Sequence, residues 1–436
     1  LLDTIASSAA IGVSSLTWWA ILGVIFLLPM GLITAELGAA YPAEGGIYVW
    51  ISKAFGKHWG ARAVWAYWVN TAIWLPAIYI LFAGVFAQLT GLELSIGDQV
   101  AMGIVLAWSA MSLELFGLRI GKWIPNLGAA FKILIFLILI IAGYRYGATY
   151  GFSNEITLKT LKPEWSQSLR YVPAIVYGMV GFELVSAAGA EIRRPARDVP
   201  AAVLMSGFIV LFLYAAATAG ILAAVPADEV DIVEGLVDTL ALLLADLPAS
   251  NIIVPLLGAC ALYTFFSNGA TWAFGCNRAT AEAAEEGQFP SLFAWRHPKL
   301  GTPIGAAMLM GLTCTGALIL YGRIAQSNAD LFWGLFSFSA VIFLLPYIGM
   351  ALAFLKLRKS DANSPRPFRV PGGPAAAIAL TASCVIVMAA AIFLFLYVPG
   401  EGWQRSTAIG VIVVLAAGEI IMRLGNLERK LFRKRA

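Results

Sequence analysis

The sequence predicts an all-α polytopic integral membrane protein with about twelve transmembrane helices. Three observations support this fold class. The chain is 60% hydrophobic and only 12% charged, whereas soluble domains carry about 25% charged residues. Apolar stretches recur along its whole length, each close to the roughly 20 residues that a helix needs to cross a bilayer. Basic residues are concentrated in alternate loops between these stretches. A cytosolic enzyme is therefore not expected.

The apolar stretches follow one another with short connections, as expected of one transmembrane domain over residues 1–436. They lie near residues 1–14, 16–41, 60–90, 99–118, 124–143, 170–190, 200–225, 250–277, 303–321, 329–355, 374–398 and 405–425. The first of them begins abruptly and has no basic flank. We expect the natural chain to start earlier, and we do not interpret this stretch as a signal peptide.

The distribution of positive charge predicts the orientation. Most of the 29 Lys and Arg residues lie in one alternating set of loops and in the basic tail, residues 426–436. Positive residues stay on the cytoplasmic side of a membrane. An uninterrupted alternation requires twelve spans, with both termini in the cytoplasm. For a chain of this kind we expect a multi-pass protein of the cell (inner) membrane.

Two spans contain residues that are typical of interrupted helices. One stretch is Ile5-Ala6-Ser7-Ser8-Ala9 in span one, and the other is residues 177–183 in span six. Transporters place substrate sites where membrane helices are broken, at corresponding positions of two repeats. The positions fit a five-plus-five inverted repeat, with repeat one in 1–143, repeat two in 170–355 and two added spans in 374–425. Close helix packing also explains small residues, and the halves share no clear identity.

Several ionisable side chains fall within the spans, where charge is costly and commonly functional. Lys132 lies near mid-membrane, and its burial would suit a residue that binds and releases a proton. The alternative is a static ion pair. Glu183 is the last residue of the second stretch and is a candidate for proton handling or gating, or for structural hydrogen bonding. Asp3 is a candidate counter-ion for a cationic amine.

A candidate ligand-binding face lies in the eighth span. Asn268 and Trp272 are four residues apart and share one face of a helix. An amide with a large ring suits a small organic ligand, and an indole face also attracts cations. With two histidines in charged loops and four scattered cysteines, neither a metal site nor a cofactor is predicted.

Three motifs in the right order resemble the amino acid–polyamine–organocation (APC) superfamily of transporters. The first is residues 36–55, ELGAAYPAEGGIYVWISKAF. The second is residues 181–200, which contain Glu191, Pro195, Arg197 and Pro200. The third is residues 272–290, followed by Gly301-Thr302-Pro303. The resemblance extends along essentially the whole chain.

This resemblance implies a fold in which spans 1, 2, 6 and 7 move against spans 3, 4, 8 and 9. It also implies that the substrate meets exposed backbone around Ile5, Ala6, Ser7 and Ser8 and around Tyr177 and Gly178. Tyr177 matches an aromatic gate, and Trp272 matches the residue that stacks on substrate in arginine–agmatine exchangers. Lys132 matches a lysine that replaces the sodium ion of sodium-coupled relatives. Its ammonium should reach the first break and Ser267 or Asn268.

The resemblance leads to one functional expectation with an alternative. We expect a secondary active transporter of amino acids, either a proton-coupled symporter or an exchanger, that works by alternating access. However, Ala6-Ser7-Ser8 stands where the family has Gly-Ser-Gly. The alternative is a transporter of amines or polyamines that lack a carboxylate, with Asp3 as counter-ion. The expected partners are this substrate, protons and membrane lipid, with a possible homodimer and no nucleic acid.

Overall fold

The computed structural model describes residues 4–42, 46–115, 123–163, 167–181, 194–233 and 235–433. Two predicted site residues, Asp3 and Glu183, lie outside them. The helices are α1 Ile5–Ala9, α2 Ser14–Leu22, α3 Leu28–Ala40, α4 Ile47–Phe55, α5 Lys57–Thr90, α6 Ile96–Leu115, α7 Trp123–Tyr150, α8 Val172–Gly178, α9 Pro195–Ala224, α10 Gly235–Leu243, α11 Ser250–Glu285, α12 Ile304–Ile324, α13 Asn328–Ser360, α14 Gly373–Leu396 and α15 Arg405–Arg433.

The described part of the chain contains 10 helical stretches that are long and apolar enough to cross a membrane. α2 and α3 form one of them, Ser14–Ala40, joined by a π-helical turn at Gly23–Leu27. A methyl group on Gly23 would lie 2.7 Å from a methyl carbon of Leu211 in α9, so this turn brings two spans close together. The short helices α1 and α8 lie at the predicted positions of spans one and six. The multi-span prediction is therefore confirmed, while the count of twelve and the repeat stay predictions.

The core of the protein lies around α5 and α13, the most deeply buried of the long helices. Small residues let other spans approach closely. α7 and α9 meet at Gly143 and Gly220, where any side chain would overlap the facing backbone. α7 meets α11 at Gly128, where a methyl group would overlap Ser267 Oγ. Such contacts replace the hydrophobic effect as the source of helix association within lipid.

The interruption predicted at Ile5–Ala9 is wrong, because these five residues are α-helical. Ser8 donates its hydroxyl to the carbonyl oxygen of Thr4 at 2.7 Å. This bond to the preceding turn lets a serine remain inside a membrane helix. The chain leaves the helix only after Ala9 and turns at Gly12, whose φ is +89°.

The interruption predicted in span six is present where the structure describes it. α8 ends at Gly178, and Met179, Val180 and Gly181 are not helical. Gly181 has a φ of +106°, a conformation that only glycine adopts at little cost. A backbone that leaves the helix at this depth must be buried in protein or line a cavity.

The face of the molecule that carries the basic loops, called here the basic side, is held by a buried ion cluster. Glu36 of α3 is 2% exposed and accepts a hydrogen bond from Arg358 Nε at 2.8 Å. Arg366 Nε lies 3.4 Å from the same carboxylate, and the backbone N–H of Val370 donates to it at 2.7 Å. The cluster fixes α3 to the end of α13 and to the loop that follows.

α4 lies across the basic side. Two carboxylates bond it to neighbouring segments, and each of them is bound by one tyrosine and one lysine. Asp361 accepts from Tyr41 Oη at 2.9 Å and pairs with Lys53 Nζ at 3.3 Å. The bond from Tyr41, followed by that from Lys53, holds the pKa of Asp361 below its usual value. The other carboxylate is Glu286, directly after α11, which binds Tyr48 of α4.

The side of the molecule opposite the basic side carries a short helix, a hairpin and a cleft. The acidic loop, residues 228–246, contains α10, and α14 and α15 are joined by a two-stranded hairpin of Tyr397–Val398 and Gly402–Trp403. A cleft of about 370 Å³ opens there between the turn at Gly12 and the loop around Glu155 and Lys159.

Candidate functional site

The end of α8 meets the start of α1 in the middle of the molecule. A methyl group added to Gly178 would lie 3.2 Å from Thr4 Oγ1 and 3.9 Å from the indole of Trp19. Thr4 is fully buried, and Asp3 is next to it in sequence. The two segments that the sequence singled out are thus neighbours; Ile5–Ala9 are helical, whereas the described part of the second segment leaves the helix after Gly178.

The non-helical segment after α8 lies against Trp272 of α11. A methyl group on Gly181 would lie 3.5 Å from Cζ2 of this indole. Trp272 is half-buried, so part of this residue stays accessible beside the non-helical segment. The expectation that Tyr177, Gly178 and Trp272 belong to one site is consistent with this geometry, but their role in binding stays a prediction.

Aromatic rings surround this backbone segment on several sides. The indole of Trp272 stacks on Tyr67 with a centroid distance of 6.4 Å and meets Trp74 edge-on at 6.3 Å. Phe343 of α13 lies 5.6 Å from Trp272 and 5.1 Å from Tyr177. We call the five residues Tyr67, Trp74, Tyr177, Trp272 and Phe343 the aromatic chamber.

Three members of the aromatic chamber, Tyr67, Trp74 and Phe343, were not anticipated from the sequence. Tyr67 and Trp74 are seven residues apart and therefore share one face of α5. That spacing was visible in the sequence, but an aromatic stripe in a membrane helix is most simply interpreted as packing. Only the fold shows that this face points toward Trp272.

The polar candidates lie on the adjoining surface. Asn268 is half-buried one turn before Trp272, and Ser267 is 3% exposed. Lys132 is half-buried in α7, one turn beyond the glycine that contacts Ser267. Gly128 and Lys132 share a helical face, and this face of α7 meets α11 at Ser267. Lys132 is therefore on the side of α7 that the resemblance implied, while its coupling role stays a prediction.

The predicted serines of α1 are enclosed rather than open. Ser7 and Ser8 are fully buried, Ile5 is 2% exposed, and Ala6 is half-buried. Ser7 Oγ has no hydrogen-bond partner in the described part of the chain. A buried hydroxyl without a partner is costly, which makes Ser7 available to a ligand or a water molecule.

The chemistry of the chamber suits an organic cation. Aromatic faces carry negative electrostatic potential, and an ammonium or guanidinium within about 6 Å of a ring is stabilised by about 0.5–2 kcal/mol. Among the described residues, no group of three or more His, Cys, Asp or Glu side chains is placed to hold a metal ion.

A helical membrane bundle with a span interrupted beside a cluster of aromatic rings is typical of a solute transporter. The family to which the chain belongs follows from sequence comparison. The profile of the Amino acid permease family matches residues 3–417, and the chain therefore belongs to this family.

Two relatives are similar in sequence to this chain over most of its length. It is 32% identical to a probable agmatine/putrescine antiporter of Lactococcus lactis over 97% of this chain and 91% of that protein. It is 25% identical to a polyamine transporter of Oryza sativa over 85% of this chain and 66% of that protein. These relatives are transporters, as the sequence analysis expected for this chain.

A solved structure supports the fold. The crystal structure of a mutant manganese transporter from Eremococcus coleocola superposes with a TM-score of 0.60, covering 99% of this chain and 94% of that one at 15% identity. At this identity the likeness concerns the fold alone.

Proposed function

We propose that this protein is an antiporter of small aliphatic amines such as agmatine and putrescine. The observation that carries the proposal is the aromatic chamber beside the interrupted span, since aromatic faces attract a cation and offer no bond to a carboxylate. The names of the relatives support the same substrate class. The alternative from the sequence that an amine is carried is thus preferred over amino acid transport.

The proposed site binds the two ends of a diamine differently. One ammonium lies over the rings of Trp272 and Tyr67, where the cation–π attraction stabilises it. The other ammonium pairs with the carboxylate of Asp3, which precedes the buried residue Thr4. The alkyl chain between them contacts the faces of Tyr177 and Phe343. The amide oxygen of Asn268 accepts a hydrogen bond from the ring-side ammonium.

The proposed cycle is alternating access with Lys132 and Glu183 as proton-handling residues. A lysine at mid-membrane depth is neutral for part of the cycle if desolvation outweighs its ion pairs. Proton uptake and substrate binding then compete, so the pH on each side sets the direction of exchange. We further propose that the protein lies in the cell (inner) membrane, with both termini and the basic side in the cytoplasm.

The test is an exchange assay in proteoliposomes. Vesicles loaded with unlabelled putrescine are expected to take up labelled agmatine and putrescine, and uptake should vanish without internal amine. Uptake of arginine or neutral amino acids in place of amines would support the amino acid alternative and overturn the proposal.

Two substitutions locate the binding groups. Trp272→Ala is expected to raise the half-saturating amine concentration by roughly 3- to 30-fold, the equivalent of the cation–π term, while Trp272→Phe raises it less. Asp3→Asn is expected to abolish amine binding. The matched control is Asp246→Asn, whose carboxylate pairs with Arg145 on the opposite side, and it should leave amine affinity unchanged.

A further inference from the structure

A polar stripe runs along α11 from the aromatic chamber to the basic side. Asn268, Trp272, Gly275, Ala279, Glu282 and Glu286 alternate at spacings of four and three residues, which places them on one face of a helix. Gly275, Glu282 and Glu286 are exposed, and the other three are half-buried. On the opposite face, Ala273, Thr280 and Ala281 are buried.

The stripe faces water rather than lipid. A lipid-facing surface would not carry an amide and two carboxylates, because such groups in contact with hydrocarbon are costly. The side chains between them are small, since Gly275 has none and a methyl group there would meet no atom within 4 Å. The stripe is therefore open at Gly275 and becomes more acidic from Trp272 toward the basic side.

The last residue of the stripe already binds a primary ammonium. Glu286 Oε2 accepts hydrogen bonds from Lys57 Nζ at 2.9 Å and from Tyr48 Oη at 3.0 Å. Among the described residues, Oε1 of the same carboxylate accepts none. A carboxylate has about four acceptor positions on its two oxygens, so Glu286 can take a second ammonium while Lys57 remains bound.

We propose that the cytoplasmic half of the substrate route runs along this stripe, and that Glu286 is the ammonium-binding residue at its mouth. The proposal rests on the amine function proposed above. The leading ammonium of the amine leaves Trp272, passes Gly275 and Ala279, and pairs with Glu286 Oε1. Tyr48 and Lys57 hold the carboxylate in place and keep it ionised, and the positive charge of Lys57 weakens the attraction of Glu286 for the ammonium of the substrate.

The route is tested by thiol accessibility, which does not depend on transport. Gly275→Cys and Ala279→Cys are expected to react with a membrane-impermeant thiol reagent from the basic side at least about tenfold faster than Ala281→Cys, because only a water-accessible thiolate reacts. The four native cysteines are buried and provide the baseline. Equal labelling of the three variants would overturn the route.

The role of Glu286 is tested by binding on each side of the membrane. Glu286→Gln is expected to weaken putrescine binding at the basic side by roughly tenfold, equivalent to about 1.4 kcal/mol, with no change at the opposite side. Lys57→Ala is expected to strengthen it, since the positive charge that repels the ammonium of the substrate is lost. Glu285→Gln, whose partner is Arg296, is the control. Equal weakening by all three variants would indicate a structural role and overturn the proposal.

The failure of the proposed amine function and the failure of the proposed substrate route would give different experimental results. If the parent protein exchanges no amine, the proposed function is wrong, and the labelling contrast still decides whether the stripe lines a water-filled route. If amines are exchanged but saturating putrescine leaves the labelling of Gly275→Cys and Ala279→Cys unchanged, the substrate does not pass the stripe and the further inference alone is overturned.

Discussion

Gly181 lies beside the indole of Trp272, since a methyl group added to this glycine would come within 3.5 Å of Cζ2 of the ring. One residue supplies non-helical backbone and the other supplies a ring. Because Gly181 has no side chain and a positive φ, the backbone can bend toward the ring. This contact ties the shape of the site to a single glycine.

Gly181→Ala is therefore expected to abolish exchange. A residue with a β-carbon at φ of +106° is strained by about 1–3 kcal/mol, and the added methyl group would fill the space in front of Trp272. The measurements are amine exchange and the thermal midpoint of the purified protein. Gly316→Ala is the control, since a methyl group there meets nothing within 4 Å. Wild-type exchange by Gly181→Ala would contradict the assigned geometry.

Tyr67→Leu is expected to weaken amine binding by roughly 2- to 5-fold, because an exposed cation–π contact contributes about 0.5–1 kcal/mol. Tyr67→Phe retains the ring and should bind nearly as well as the parent. Binding is measured by the thermal shift that putrescine produces. Tyr321→Leu, which removes a ring stacked on Phe338, is the control. Identical losses in the two leucine variants would argue against the chamber.

Glu36→Gln is expected to destabilise the protein strongly. It would leave Arg358 and Arg366 buried without their carboxylate, and breaking a buried ion pair commonly costs about 3–5 kcal/mol. The thermal midpoint in detergent should fall by several degrees. Glu285→Gln removes the partly exposed pair with Arg296 and should cost at most about 1 kcal/mol. Equal midpoints for the two variants would show that the Glu36 cluster contributes little.

Lys132→Arg separates proton coupling from a static ion pair. Arginine keeps the positive charge but does not release its proton in proteins. If Lys132 titrates, the variant binds amine but loses the dependence of exchange on pH. If the lysine only forms an ion pair, Lys132→Arg should retain both exchange and its pH dependence, and the coupling proposal fails.

Glu286 should contribute nothing to that pH dependence. The hydrogen bond from Lys57, together with that from Tyr48, holds the pKa of this carboxyl below its usual value. Its stabilising contribution is fully present above the unfolded value of about 4.3 and is lost only as the pH falls through the lower folded value. Burial and the neighbouring carboxylate raise the pKa of Tyr48 to about 12, so this donor also stays protonated. The pH profile of Glu286→Gln should therefore parallel that of the parent.

The long spans and the family could be predicted from the sequence because both depend on local patterns. Apolar length decides whether a helix crosses the bilayer, and motifs such as residues 36–55 are contiguous. The prediction for α1 failed for an equally local reason. Small, hydroxylated residues were interpreted as a break, but Ile5–Ala9 are α-helical, and the hydroxyl of Ser8 is satisfied by the carbonyl oxygen of Thr4.

By itself, the sequence determined that the chain is a multi-span membrane protein of the Amino acid permease family, and it identified Trp272, Tyr177 and Gly178 as candidates. Only the tertiary structure decided which rings face them. Tyr67, Trp74 and Phe343 come from two other helices, and their mutual distances depend on how α5, α11 and α13 cross. The same holds for Glu286, whose partners Tyr48 and Lys57 lie more than two hundred residues away. Contacts between distant segments are set by packing, and no local pattern encodes them.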